Sequence, residues 1–151
     1  MIETINKTTD TDSYSNVILE PVTQFNGGSL QKYYVKIDVK IAAAKEAEYS
    51  KAFVEFLNDY RTGHGADRDS GANFINTSHH GINRVLFGNR DASHYVYFGG
   101  ADLDSLILNM KAMLSSEDYA SFNKRVEAIR LVKNSALAEF VKFYPAERES
   151  K

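Results

Sequence analysis

Histidines and tyrosines are the residues of this chain best suited to chemistry. His94 opens the run His94–Phe98, beside Tyr95 and Tyr97. An imidazole titrates near neutral pH and can act as a general base. The neighbouring phenols can orient an aromatic or carbonyl ligand without a metal. Tyr34, Arg84, His94 and Tyr97 are therefore the candidate ligand-binding residues, and His94 is the single candidate for catalysis. The alternative for His94 is a packed or solvent-facing histidine. His79 and His80 are adjacent. On a strand, adjacent side chains point to opposite faces and cannot share one metal. In a loop they could, and unliganded polar loop histidines are the simpler reading. His64, Asp67 and Asp69 fall within Gly63–Gly71, GHGADRDSG. Asp67–Gly71 resembles the start of a calcium loop, but Ser78 stands where the distal carboxylate is required. A solvated turn explains it better, and no metal site is expected.

Other chemistry lacks its residues. The chain of 151 residues contains no cysteine, which excludes disulfides, thiolate zinc sites and cysteine nucleophiles. It has no Gly-x-Ser-x-Gly elbow, phosphate loop or dinucleotide glycine fingerprint, and no cofactor is expected. Formal net charge is −2, from 18 basic and 20 acidic residues. That balance offers no broad attraction to nucleic acid or to an anionic membrane, so neither is expected as a partner. No apolar run approaches the roughly 20 residues that span a bilayer. Met1–Ser15 lacks the apolar core of a signal peptide. A cytoplasmic protein is expected, although a removed leader would be compatible with the same sequence.

The candidate residues need a scaffold, and periodicity describes one. Tyr33–Ile41 alternates, with Tyr33, Val35, Ile37, Val39 and Ile41 on one face and Tyr34, Lys36, Asp38 and Lys40 on the other. Ala43 to about Arg61 has helical spacing at Tyr49, Phe53, Phe56, Leu57 and Tyr60, and Gly63 ends it. Gly63–Gly71 reads as a loop, and Asn73–Phe87 contains a strand firmest from Ile82. His94–Phe98 is a third strand. Asp102 caps a helix bearing Leu103, Leu106, Ile107, Met110 and Leu114. Ser115 with Asp118 resembles a capping box. The following helix carries Tyr119, Phe122, Val126 and Ile129, and Ala136–Tyr144 is the last strand. Residues 1–30 form an N-terminal arm with an edge hairpin, turned at Asn26-Gly27-Gly28. Residues 31–145 form the main domain, and 146–151 a charged tail.

The order strand–helix–strand–strand–helix–strand predicts an α+β fold: a ferredoxin-like split βαβ with a four-stranded antiparallel sheet and helices on one face. The uncovered face, rich in aromatics, is a candidate association surface. A homodimer closes it most simply, unless the N-terminal hairpin or the long loop covers it. The segments YYVKIDVKIAAAKEAEYSKAFVEFL, NRVLFGNRDASHYVYFGGADLDSL and NSALAEFVKFY resemble the dimeric α/β barrel superfamily, which includes antibiotic-biosynthesis-type monooxygenases and stress-responsive barrel proteins. The resemblance spans roughly residues 32–144. It implies a dimeric barrel and either a cofactor-independent monooxygenase or a haem-handling enzyme. Taken with the absence of a catalytic motif, the resemblance also fits a barrel protein that binds a small aromatic or apolar ligand, and the residues place such a pocket between the sheet and the helices, near His94–Phe98. A structural or interaction dimer without catalysis is the third reading.

Overall fold

The computed structural model describes residues 18–25, 31–63, 68–87 and 91–139. In chain order the elements are β1 (Ile18–Phe25), β2 (Tyr33–Ile41), α1 (Glu46–Thr62), α2 (Arg68–Thr77), β3 (His80–Phe87), β4 (His94–Gly100), α3 (Leu103–Leu114), α4 (Glu117–Val126) and β5 (Arg130–Glu139). One five-stranded sheet results, in the order β1-β3-β4-β2-β5. Every neighbouring pair is antiparallel. Without β1, the order β3-β4-β2-β5 is that of the split βαβ, in which β4 inserts between the two strands that α1 and α2 connect. The fold is thus ferredoxin-like, with a fifth strand added at the β3 edge.

The alternation in β2 works as the periodicity predicts. Val39 and Ile41 are buried on the face that the helices cover, and Ile82 of β3 with Val96 and Phe98 of β4 extend that face. The helices supply the opposing layer. Phe53, Phe56 and Leu57 of α1 are 2–3% exposed. Phe56 stacks on Phe122 of α4 at 5.0 Å, and Phe53 meets Phe98 edge-on at 6.0 Å. Leu106, Met110 and Met113 of α3 complete the layer. Ile107 is only half-buried and Leu114 is exposed, because Met113 takes the inward position that the sequence pattern assigns to Leu114.

Several boundaries differ from the sequence reading. β1 pairs with β3, where the sequence reading expected Ile18–Phe25 to lead as a hairpin into β2. The turn residues 26–28, the arm 1–17 and the tail 146–151 lie outside the described residues. The segment read as loop and strand from Gly63 becomes α2 from Arg68 to Thr77. Phe74 and Ile75 are buried there against the core, and that burial overrides weak helix propensity at Gly71. The pattern before Ile82 was thus helical, and β3 begins at His80. Asp102 caps α3 as expected, its carboxylate accepting the Ser105 amide at 2.8 Å. The next cap shifts by one residue: Ser116 Oγ accepts the Tyr119 amide, while Ser115 ends α3. β5 starts at Arg130, six residues before the predicted strand, and Val141, Phe143 and Pro145 lie outside the described residues.

Candidate functional site

The face of the sheet turned away from the helices carries a groove of about 450 Å³. Pleating places Tyr34, Lys36, Tyr95, Tyr97 and Asn83 on this face, and β1 adds Leu19, Pro21 and Gln24 along one side. Ala138 and Glu139 of β5 bound the other side.

Glycines shape the floor. Gly99 is paired with Tyr34 and Gly81 with Tyr97, so each tyrosine stands opposite a residue with no side chain. A Cβ on Gly99 would meet the Tyr34 ring at 2.7 Å. On Gly81 it would meet the Thr23 carbonyl at 2.2 Å and Tyr97 Oη at 2.9 Å. The rings therefore lie down across their neighbouring strands, and the face is concave rather than ridged.

His79 sits in this floor, 8% exposed. It immediately precedes β3, and the opposite-face rule for adjacent strand residues separates it from His80. His79 turns to the groove, whereas His80 is stacked between Phe25 (4.9 Å) and Phe98 (5.9 Å) on the helix side. Neither is a solvated loop histidine. His79 Nδ1 is 2.9 Å from Tyr34 Oη, and Nε2 is 3.1 Å from Gln24 Nε2 and 3.4 Å from Tyr97 Oη. Burial lowers the His79 pKa, favouring neutral imidazole at neutral pH. Burial also pushes Tyr97 up to about 12, reinforced by Tyr95 and Tyr34 nearby. Tyr97 and His79 are thus both held toward their uncharged forms, in an apolar wall. Its one ammonium, Lys36, lies 2.9 Å from Asp38 Oδ1 as a charge contact without hydrogen-bond alignment, and 5.0 Å above the Tyr95 ring.

The four sequence candidates divide between the two faces. Tyr34 and Tyr97 line the groove, their ring centroids 6.2 Å apart. Arg84 and His94 are cross-strand partners on the helix side. There Glu46, in the first turn of α1, accepts from both. Arg84 reaches Oε2 at 2.7 Å and Oε1 at 2.5 Å, and His94 Nε2 lies 2.6 Å from Oε2. Arg84 also contacts Glu20 at 2.5 Å. The Arg84 hydrogen bonds, then that of His94, hold the Glu46 carboxyl down to about 2. His94 Nδ1 meets Ser93 Oγ at 2.9 Å, but that hydroxyl is held by the Ile41 amide and carbonyl. Serine, histidine and glutamate here resemble a hydrolytic triad in composition only, since the hydroxyl is tied to backbone. The group fastens α1 to the end of the sheet.

The expected position of the site therefore changes. The space between sheet and helices near His94–Phe98 is filled by Val96, Phe98, Phe53 and Leu106, and the cavity beside this strand opens on the other side. Sequence reasoning did not choose His79, Gln24, Lys36 or Glu46 as site residues. Period-two counting from Tyr95 and Tyr97 reaches Gly99 and could have flagged the concave face. Nothing in the sequence placed Gln24 beside His79. The residues do not fit a haem either. Both nitrogens of His94 and of His79 are engaged by protein groups, and His80 is 1% exposed between two rings. His64 and Asp67 of the loop reading lie outside the described residues, and Asp69 falls in the first turn of α2 rather than in a calcium loop.

The fold has relatives of known structure. One is a major regulator of staphylococcal pathogenesis, matched with TM-score 0.53 at 14% identity over 89% of this chain and 75% of that one. Another is a candidate monooxygenase from Lactobacillus acidophilus NCFM, with TM-score 0.45 at 12% identity, over 90% of this chain and 55% of that one. At such identities the likeness concerns the fold alone. No protein-family model and no curated protein matches the sequence. Among the described residues no helix is long and apolar enough to cross a membrane.

Proposed function

We propose that the protein binds a small aromatic or apolar ligand in the open-face groove, and that a second copy closes over this face to complete a dimeric α/β barrel. The groove carries the proposal. Its volume of about 450 Å³, its tyrosine and aliphatic walls and its few polar atoms match the usual make-up of a ligand pocket. No helix among the described residues covers that face, so a symmetric partner is the simplest lid. Titration with planar aromatics, followed by amide NMR, tests the site. Shifts should centre on Tyr34, His79 and Tyr97; shifts centred on Arg84 and His94 would reject it. Light scattering at micromolar concentration tests the lid, and a clean monomer that still binds ligand would remove the barrel while keeping the groove.

A cofactor-independent oxygenase of the kind the family resemblance implies would use His79 as a base only once a ligand displaced Gln24 from Nε2. Oxygen uptake in the presence of a bound phenol, abolished in His79→Ala, would establish such an activity; no uptake would leave a binding protein.

A further inference from the structure

The hydrogen bonds around His79 have a direction. Gln24 presents its amide nitrogen, a donor, to His79 Nε2. Nε2 must then be the acceptor, which assigns the ring proton to Nδ1. Nδ1 donates to Tyr34 Oη, 2.9 Å away. The backbone amide of Gln31 donates to the same oxygen at 3.0 Å. Both acceptor positions of the Tyr34 hydroxyl are thus filled by donors. Its own proton finds no acceptor among the described residues and is left for the groove. A hydroxyl that accepts two hydrogen bonds is polarised into a stronger donor. Tyr97 differs: its hydroxyl lies 3.4 Å from Nε2, whose single lone pair Gln24 already takes, and among the described residues no pair of donors polarises it.

The charges agree with this polarity. Lys36 lines the groove. The Asp38 carboxylate pairs with it, but Asp38 stands opposite Tyr95 while Tyr34 stands opposite Gly99. Four strand residues separate the two, roughly 13 Å. Glu139 pairs with Lys32 at the rim, 3.5 Å away. Among the described residues, the Asp38 and Glu139 carboxylates on this side are thus both ion-paired.

We infer that the groove selects ligands that carry an oxyanion on an aromatic body, a carboxylate, phenolate or enolate, with Tyr34 Oη donating to that oxygen. The inference rests on the groove reading above, deepens it by naming the ligand class, and assigns Tyr34 as the specificity-determining residue. His79 and the Gln31 amide are positioning groups that orient the Tyr34 proton.

Naphthoate and naphthamide are nearly equal in shape and differ in charge, which makes them a direct test. Calorimetry on the full chain should show naphthoate binding roughly tenfold more tightly, the scale of a charge-assisted over a neutral hydrogen bond. Tyr34→Phe keeps the ring over Gly99 and should abolish the preference, bringing the two affinities together. Tyr97→Phe should retain the preference, and it serves as the folded control for loss of a groove phenol. Equal binding of the two compounds, or a preference that survives Tyr34→Phe, overturns the inference and leaves the groove reading standing. Binding of neither compound overturns both.

Discussion

One sheet has two faces here, built on opposite rules. The helix-covered face is aliphatic and phenylalanine-rich, with its polar groups tied locally: Glu46 to Arg84 and His94, Ser93 to Ile41. The open face alternates tyrosine with glycine and keeps a histidine network beneath a groove. The contrast teaches that aromatic content alone does not mark a core. Phe53 and Tyr97 are both nearly inaccessible. Phe53 is covered by other elements, whereas Tyr97 is covered by lying down on its own sheet. The first arrangement stores stability, and the second shapes a surface.

Breaking the covered face should cost most. Phe53→Ala removes a side chain that is 2% exposed and is expected to destabilise by about 3–5 kcal/mol. Denaturant titration checks this, and a loss under about 1 kcal/mol would mean the two faces contribute alike.

The charged fastening on the same side should come next. Glu46→Gln is expected to cost about 1.5–3 kcal/mol at neutral pH, the range for hydrogen bonds to charged groups. The Glu46 pKa falls from 4.5 unfolded to about 2 folded. The folded state therefore binds fewer protons between those values, and the stabilisation is present above pH 4.5 and lost as pH falls through about 2. The gap between wild type and Glu46→Gln should close across that window. A constant gap would show that Glu46 acts by packing and not by charge.

On the open face, Gly81→Ala forces a Cβ to within 2.2 Å of the Thr23 carbonyl. Overpacking of this kind costs about 1–3 kcal/mol. The strain falls on β1 and on the Tyr97 hydroxyl, so probe binding should fail before global unfolding. Intact binding in a folded Gly81→Ala protein would show that the glycine floor does not shape the groove.

Sequence periodicity made the covered face legible because burial leaves a repeating trace. Val39, Ile41, Phe53, Phe56, Leu106 and Met110 all fall where periods of 2 and 3.6 place them. The site was half legible. Tyr34 and Tyr97 could be put on the uncovered face by strand alternation, but Arg84 and His94 were grouped with them. Residue type says nothing about which cross-strand partner a side chain meets. His79 was set aside as a loop residue because α2 was hidden by a glycine- and aspartate-rich stretch, and helix formation there depends on burying Phe74 and Ile75. Placing Gln24 required knowing that β1 skips β2 and joins β3, a pairing with no local signal.

The position of β1 also bears on how the molecule assembles. Gln24 and His79 are 55 residues apart along the chain, and β5 closes the other side of the groove near the far end of the described chain. Both walls thus depend on contacts of long sequence separation, whose loop-closure entropy must be met before any pairing rewards it. The α1–β3–β4–α3 segment can meet its core partners sooner. The binding surface is expected to mature last during refolding, so probe capture should lag behind the recovery of helical circular dichroism.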